Sequence, residues 1–287
     1  MPISKIVNPL SHKIFFILFV WTCLTLAGGI IDCKTVEASY QDGMAALKAG
    51  DYETARKILL AAAEKGDVNA QAALGELYNR GVGINRNAPE AAKWYRRAAE
   101  QGHLDAQVTL GWMYNAGTGV PQDFMEAIKW FELAAKQGHP GAQNNLGVLY
   151  RQERGGEKNV GKALMWFQKA ADQGMPHAQY ALGQMYLNGE GLQQNVEQAV
   201  HWYTLAANQG LMEAQADLGF LYAKRENKVP EDYLLGYQWL ALSAQQGDRM
   251  APGDLKNLME TMTPDQIKEA KKRVEAWNKK HPPKSEF

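Results

Sequence analysis

Ala106-Gln107-Val108-Thr109-Leu110-Gly111-Trp112-Met113-Tyr114 is one copy of a pattern that the chain carries five times. Ala-Gln opens it at positions 70, 106, 142, 178 and 214, and Leu-Gly follows at 74, 110, 146, 182 and 218. A tyrosine stands three residues after each of those glycines, so the period is 36 residues. A tryptophan marks the second half of each unit: Trp94, Trp130, Trp166, Trp202 and, after a one-residue insertion, Trp239. Self-similarity at this period is the mark of a solenoid, in which stacked helical units bury together what one unit cannot bury alone.

Each unit contains its own instructions for two helices. Ala70, Leu74, Leu77 and Tyr78 lie at i, i+4, i+7 and i+8, on one face of a 3.6-residue helix, and that face is core. Gly75 and its copies lack a Cβ, so a neighbouring helix can come close there and offset a helix-propensity cost of about 1 kcal/mol. Paired glycines (81 and 83, 117 and 119, 189 and 191) supply the turn. Asn87, Asp123, Asn159, Asn195 and, past the insertion, Asp232 recur as the N-cap of the second helix. Glu90, Glu126 and Gln198, three residues on, are expected to complete capping boxes. Gly102, Gly138, Gly174, Gly210 and Gly247 end that helix at a left-handed cap.

Upstream, Ala55, Ala62, Ala63 and Gly66 lie one period before Ala91, Ala98, Ala99 and Gly102, and Asp51 one period before Asn87. Downstream, Thr263-Pro264-Asp265-Gln266 is a capping box with proline at the first helical position, opening a helix that closes the solenoid. The expected organisation is therefore an export segment 1–38, a degenerate first repeat 39–69, and five repeats over 70–248 (70–105, 106–141, 142–177, 178–213 and 214–248). A capping helix and tail follow at 249–287.

The unit Ala-Gln-x-x-Leu-Gly-x-x-Tyr, Gly-x-Gly, Ala-x-x-Trp-[Tyr/Phe]-x-x-Ala-Ala-x-Gln-Gly resembles the Sel1-like repeat, a relative of the tetratricopeptide repeat, over about residues 39 to 248. The resemblance implies an all-α, α/α superhelical solenoid acting as a non-enzymatic adaptor for a protein or peptide, often in the bacterial envelope, and it brings no catalytic residues or cofactor. Some secreted members carry a cysteine pair in every repeat, and β-lactam binding belongs to that subgroup. No repeat here contains cysteine.

Lys5 and Lys13 precede an apolar run from Ile14 to Ile31, and Val36-Glu37-Ala38 offers a place for a signal peptidase. The competing reading is an uncleaved inner-membrane anchor, the run being close to the roughly 18-residue lower limit of a spanning helix. Either way the repeats are expected outside the cytoplasm, periplasmic or secreted, with membrane contact only through an uncleaved segment. Cys23 and Cys33 both precede the cut, so packing alone would hold the mature chain. The 31 basic and 31 acidic side chains cancel, which argues against a nucleic-acid partner.

Few residues suggest chemistry. The Gly-x-Gly turns lack the third glycine or the Gly-Lys-[Ser/Thr] ending of a phosphate loop. His103 and His139 stand one repeat apart, too far to share an ion, and no Cys or Asp pattern completes a metal site. No nucleophile elbow or Cys/His pair is present. A cell-wall-related hydrolase or β-lactam-binding protein therefore has no candidate residues, and a structural spacer in an envelope complex is the other alternative.

The surface carries more information. Positions equivalent to 72, 76 and 79 point away from the core face of the first helix, and there the copies diverge while still showing large aromatic residues. Val108, Trp112, Asn144, Val148, Arg151, Tyr180, Gln184, Leu187 and Phe220 are the expected partner-binding residues, on the face that lines the groove in related solenoids. The alternative is that Trp112 and Phe220 pack against an adjacent repeat. The altered turns 151–156 and 224–229 offer a second candidate edge.

Overall fold

The computed structural model describes residues 34–152, 159–223 and 232–282. Among these every regular element is an α-helix: α1 (Lys34–Lys48), α2 (Tyr52–Glu64), α3 (Val68–Arg80), α4 (Ala88–Glu100), α5 (Leu104–Ala116), α6 (Phe124–Lys136) and α7 (Pro140–Arg151). They are followed by α8 (Val160–Asp172), α9 (Pro176–Asn188), α10 (Val196–Asn208), α11 (Met212–Ala223), α12 (Tyr233–Gln245), α13 (Ala251–Thr261) and α14 (Pro264–Lys280). The chain is an all-α solenoid of helix pairs, as the 36-residue period requires. The expected export segment lies outside the described residues up to position 33, as do residues 153–156 of the first altered turn and all of the second, 224–229. Among the described residues no helix is long and apolar enough to cross a membrane.

The described residues fall into two compact units, one up to residue 71 and one from residue 72. In the first, α1 and α2 make the degenerate repeat. Asp51 caps α2 by accepting from Thr54 N at 3.1 Å, and Leu59, fully buried, lies against Gly43. Leu59 holds the position that Tyr95 holds one period later.

In the second unit each second helix packs on the first helix of its own repeat and on that of the next. Inside a repeat the contact is aromatic ring on glycine. A methyl group on Gly75, Gly111 or Gly147 would sit 2.6 to 2.7 Å from the ring of Tyr95, Phe131 or Phe167, so only hydrogen fits. The turn is closed by the backbone: Asn87, Asp123, Asn159 and Asn195 each donate their N–H to the carbonyl of the repeat tyrosine nine residues earlier, at 2.9 to 3.0 Å. This bond fixes the spacing of tyrosine and N-cap. The N-caps form as expected, Asn87, Asp123, Asn159, Asn195 and Asp232 each accepting from a first-turn N–H. None of the three expected boxes closes: Asn195 accepts from Gln198 N, but the Gln198 side chain does not return to the Asn195 N–H. Glu90 turns to Lys93 (2.8 Å), and Glu126 to Lys129 and the Trp130 indole (3.0 and 3.1 Å), because a cation or a buried N–H competes for the carboxylate. The second turn glycine has a packing role besides its left-handed φ, since Gly119 lies on the backbone of Ala88 and Gly191 on Val160, each in the preceding repeat.

Between repeats the contact is polar. Gln107, Gln143, Gln179 and Gln215 are buried among alanines. Their Nε2 groups donate to the carbonyls of Ala99, Ala135, Ala171 and Ala207, at the end of the preceding second helix, at 3.1 to 3.3 Å. Their Oε1 atoms accept from Gln137, Gln173, Gln209 and Gln246, at the end of the repeat's own second helix, at 2.8 Å each. One amide thus ties together three helix ends. Each of these carbonyls also accepts from the N–H of its cap glycine, Gly102, Gly138, Gly174 or Gly210, at 2.8 to 3.0 Å, so the ladder adds a second donor from the next repeat to a carbonyl already bonded within its own helix end.

The ladder stops where the repeats stop. Ala251 and Leu255 stand where Ala-Gln and Leu-Gly would recur, but Pro252 replaces the glutamine. Helix α13 therefore takes the place of a next first helix, packed on α12, an element the sequence reading left unassigned. The expected capping helix is α14, with its box formed through Thr263 and Gln266. It buries Ala270 and Val274 and sets Trp277 edge-on to Trp239 at 5.1 Å.

Gln143→Leu keeps volume but removes the bond to the Ala135 carbonyl and the bond from the Gln173 amide, so it should destabilise by about 1–3 kcal/mol, the net worth of two hydrogen bonds at about 0.5–1.5 kcal/mol each. Denaturant unfolding measures this; an unchanged midpoint would remove the ladder from the account of stability.

Candidate functional site

The packing rules above occupy one side of each first helix and leave the other to sequence variation. On α5 and α7 that free side forms a recess of about 350 Å³. Trp112 and Asn115 border it from α5, and Asn144, Asn145 and Val148 from α7, with Phe131 and Leu149 as its floor. Trp112 is 49% exposed, and its ring stands edge-on to Phe131 at 5.9 Å and 84°. The alternative that Trp112 is buried between repeats is not what forms: its contact is with the second helix of its own repeat.

Of the nine expected residues, Trp112, Asn144 and Val148 come together here, and Val108 is half-buried one turn before Trp112. The others are engaged within the protein. Arg151 donates to Gln184 Oε1 at 3.0 Å and pairs with Glu190 at 2.9 Å, a strap from α7 to the next repeat. Tyr180 donates to Asp217 Oδ2 on α11 at 2.9 Å and lies 5.5 Å from the Tyr203 ring. Leu187 packs on the core of the last repeats, and Phe220 is half-buried. Asn115, Phe131, Asn145 and Leu149 line the recess without being among the nine, and Gln152 joins it from the altered turn offered as a second candidate edge. Asn145 could have been found, because its position also varies between copies (Ala73, Thr109, Ala181, Asp217). Phe131 could not, since its position repeats as a core aromatic.

Burial raises the Asp217 carboxyl above its usual range, the Tyr180 hydroxyl opposes that shift, and the nearby Asp248 and Glu213 add to it. Burial and Asp217 push the Tyr180 hydroxyl up in turn. The histidines serve the backbone: His103 and His139 accept through Nδ1 from Ala106 N and Ala142 N at 3.3 and 3.1 Å, capping α5 and α7. Among the described residues no three potential metal ligands cluster. Glu76, another carboxylate of this face, pairs with Arg80 and accepts from Tyr95.

Helix pairs joined by a polar ladder, with a first-helix face that varies between copies, define a repeat solenoid, a fold that commonly serves as a protein-interaction scaffold. The Sel1 repeat model matches residues 38–67, 68–103, 104–139, 140–175, 176–211 and 213–248, and the chain belongs to the Sel1 repeat family. The Sel1 repeat protein from Oxalobacter formigenes is 31% identical and superposes with a TM-score of 0.68, over 87% of this chain and 98% of that one. The Escherichia coli protein c5321, a protective antigen of uropathogenic strains with the same repeat fold, is 25% identical with a TM-score of 0.47, over 85% and 69%. Among curated proteins none matches the chain.

Two variants separate scaffold from surface. Trp166, 8% exposed at the repeated core position, should cost about 3–5 kcal/mol when replaced by alanine. Trp112→Ala should change stability by about 1 kcal/mol or less, as surface changes do. Equal losses by denaturant unfolding would place Trp112 in the core.

Asp217 has a pH signature. Its folded pKa lies above the unfolded value, so the folded state holds the proton to higher pH. Its contribution to stability is full below the unfolded pKa and lost as pH rises through the folded one. Asp217→Asn keeps an acceptor for Tyr180, so the variant should equal or exceed the parent in stability at pH 7 and lose that advantage near pH 4. Urea unfolding at both values checks the sign.

Proposed function

We propose that this Sel1 repeat protein is a non-catalytic scaffold, exported from the cytoplasm, that docks a protein or peptide partner on the first-helix face at the Trp112 recess. The observation that carries the reading is a half-exposed tryptophan set edge-on against the buried Phe131 ring, on the side of the helix that the ladder and the glycine contact leave free. Aromatic anchors in pockets dominate interface energetics. Export is supported by Lys5 and Lys13 before the apolar run and by Val36-Glu37-Ala38 after it. The straps at Arg151 and Tyr180 support a spacer role for the later repeats, where the same face is used to hold neighbours together.

A photo-crosslinking amino acid placed at position 112, compared with one at Met125, which is 61% exposed on α6, tests this in intact cells. Discrete adducts are expected from position 112 alone, and in the envelope or secreted fraction. Equal adducts from both positions would remove the recess as the docking site, and adducts confined to the cytoplasm would refute export.

A further inference from the structure

Resting on that docking reading, we infer that the Trp112 recess takes an extended, uncharged stretch of polypeptide. One large apolar side chain is seated on Phe131 and Leu149, and the amides of Asn115, Asn144 and Asn145 bond the peptide backbone. The first observation is charge. Among the described residues no ionisable side chain lines the recess, whereas the next step of the same face carries the Arg151–Glu190 pair. A charged segment seated here would lose water without gaining a counter-charge.

The second observation is the amides. Asn115, Asn144 and Asn145 are half-buried, and their side chains have no hydrogen-bond partner among the described residues. Each offers two donors and an acceptor oxygen. A peptide group carries one donor and one acceptor that must be satisfied when buried, so a side-chain amide matches it as it does the paired edge of a base. These amides border an apolar floor, and that arrangement separates the occupant's two requirements: polar bonds at the rim, apolar burial below.

The third observation is size and floor. A recess of about 350 Å³ lies at the small end of the roughly 300–1,000 Å³ typical of ligand sites. It admits one large side chain with its flanking backbone and not a folded surface. A neutral sugar would also meet tryptophan and amides, but its hydroxyls would lose their partners against Phe131 and Leu149, while an apolar side chain gains about 25 cal/mol for each Å² buried.

The test uses the full chain with ¹⁵N-labelled indoles, the Trp112 signal being assigned through Trp112→Phe. The probes are the capped pentapeptides acetyl-Gly-Ser-X-Ser-Gly-amide with X as Phe, Asp or Lys, the Phe peptide N-methylated on both sides of X, and the trisaccharide of N-acetylglucosamine. The Phe peptide should shift the Trp112 signal saturably. The Asp, Lys and N-methylated peptides should bind about tenfold more weakly, equivalent to about 1.4 kcal/mol. Asn144→Ala should weaken the Phe peptide severalfold with an unchanged unfolding midpoint. Equal binding of the charged or methylated peptides overturns the assigned chemistry and leaves docking at the recess standing. Movement of Trp112 by the trisaccharide alone replaces peptide with glycan. If no probe moves Trp112, the peptide inference fails, and the adducts at position 112 then decide separately whether the recess docks anything.

Discussion

The buried glutamine amide is the interaction on which the rest of the structure depends. Apolar faces alone would let neighbouring helix pairs slide or rotate, since burial is nearly indifferent to direction. A primary amide that donates to the preceding helix end and accepts from its own repeat's second helix allows one arrangement. Because an unsatisfied buried amide is costly, each repeat is indexed on the next. The small alanines around it let three helix ends approach closely enough for one side chain to reach both partners.

Within a repeat the complementary device is steric. The glycine of Leu-Gly receives the ring of Tyr95, Phe131, Phe167 or Tyr203, and in the last repeat Leu240. Ladder and glycine together account for the invariant glutamine and glycine of the first helix, and both lie on the side of that helix that faces other helices. The opposite side takes no part in either device, which is why it can differ from copy to copy without loss of the ladder or of the ring-on-glycine contact.

That freedom is used in two ways along the chain. Around Trp112 the face stays open, neutral and rich in unpaired amides. From Arg151 onward it is drawn into contacts between repeats, by the guanidinium strap to Glu190 and Gln184 and by the Tyr180–Asp217 bond. A variable position is thus not by itself a binding position.

The periodicity of Ala-Gln, Leu-Gly and Trp was enough to determine the all-α solenoid, its helix pairs and their caps, because hydrogen bonding and apolar periodicity act within one repeat and are visible along the chain. The exposed state of Trp112 was legible for the same reason: its place on the helix follows from spacing. The role of Gln143 was not, since a buried polar residue is explained only by the two helix ends it meets. Helix α13 was hidden by Pro252, which breaks the pattern at the point where the ladder ends. Only the tertiary structure decided which variable residues remain available. Whether Arg151 or Tyr180 faces a partner or a neighbouring repeat depends on distances across residues more than thirty positions apart, and those distances are set by how repeats stack.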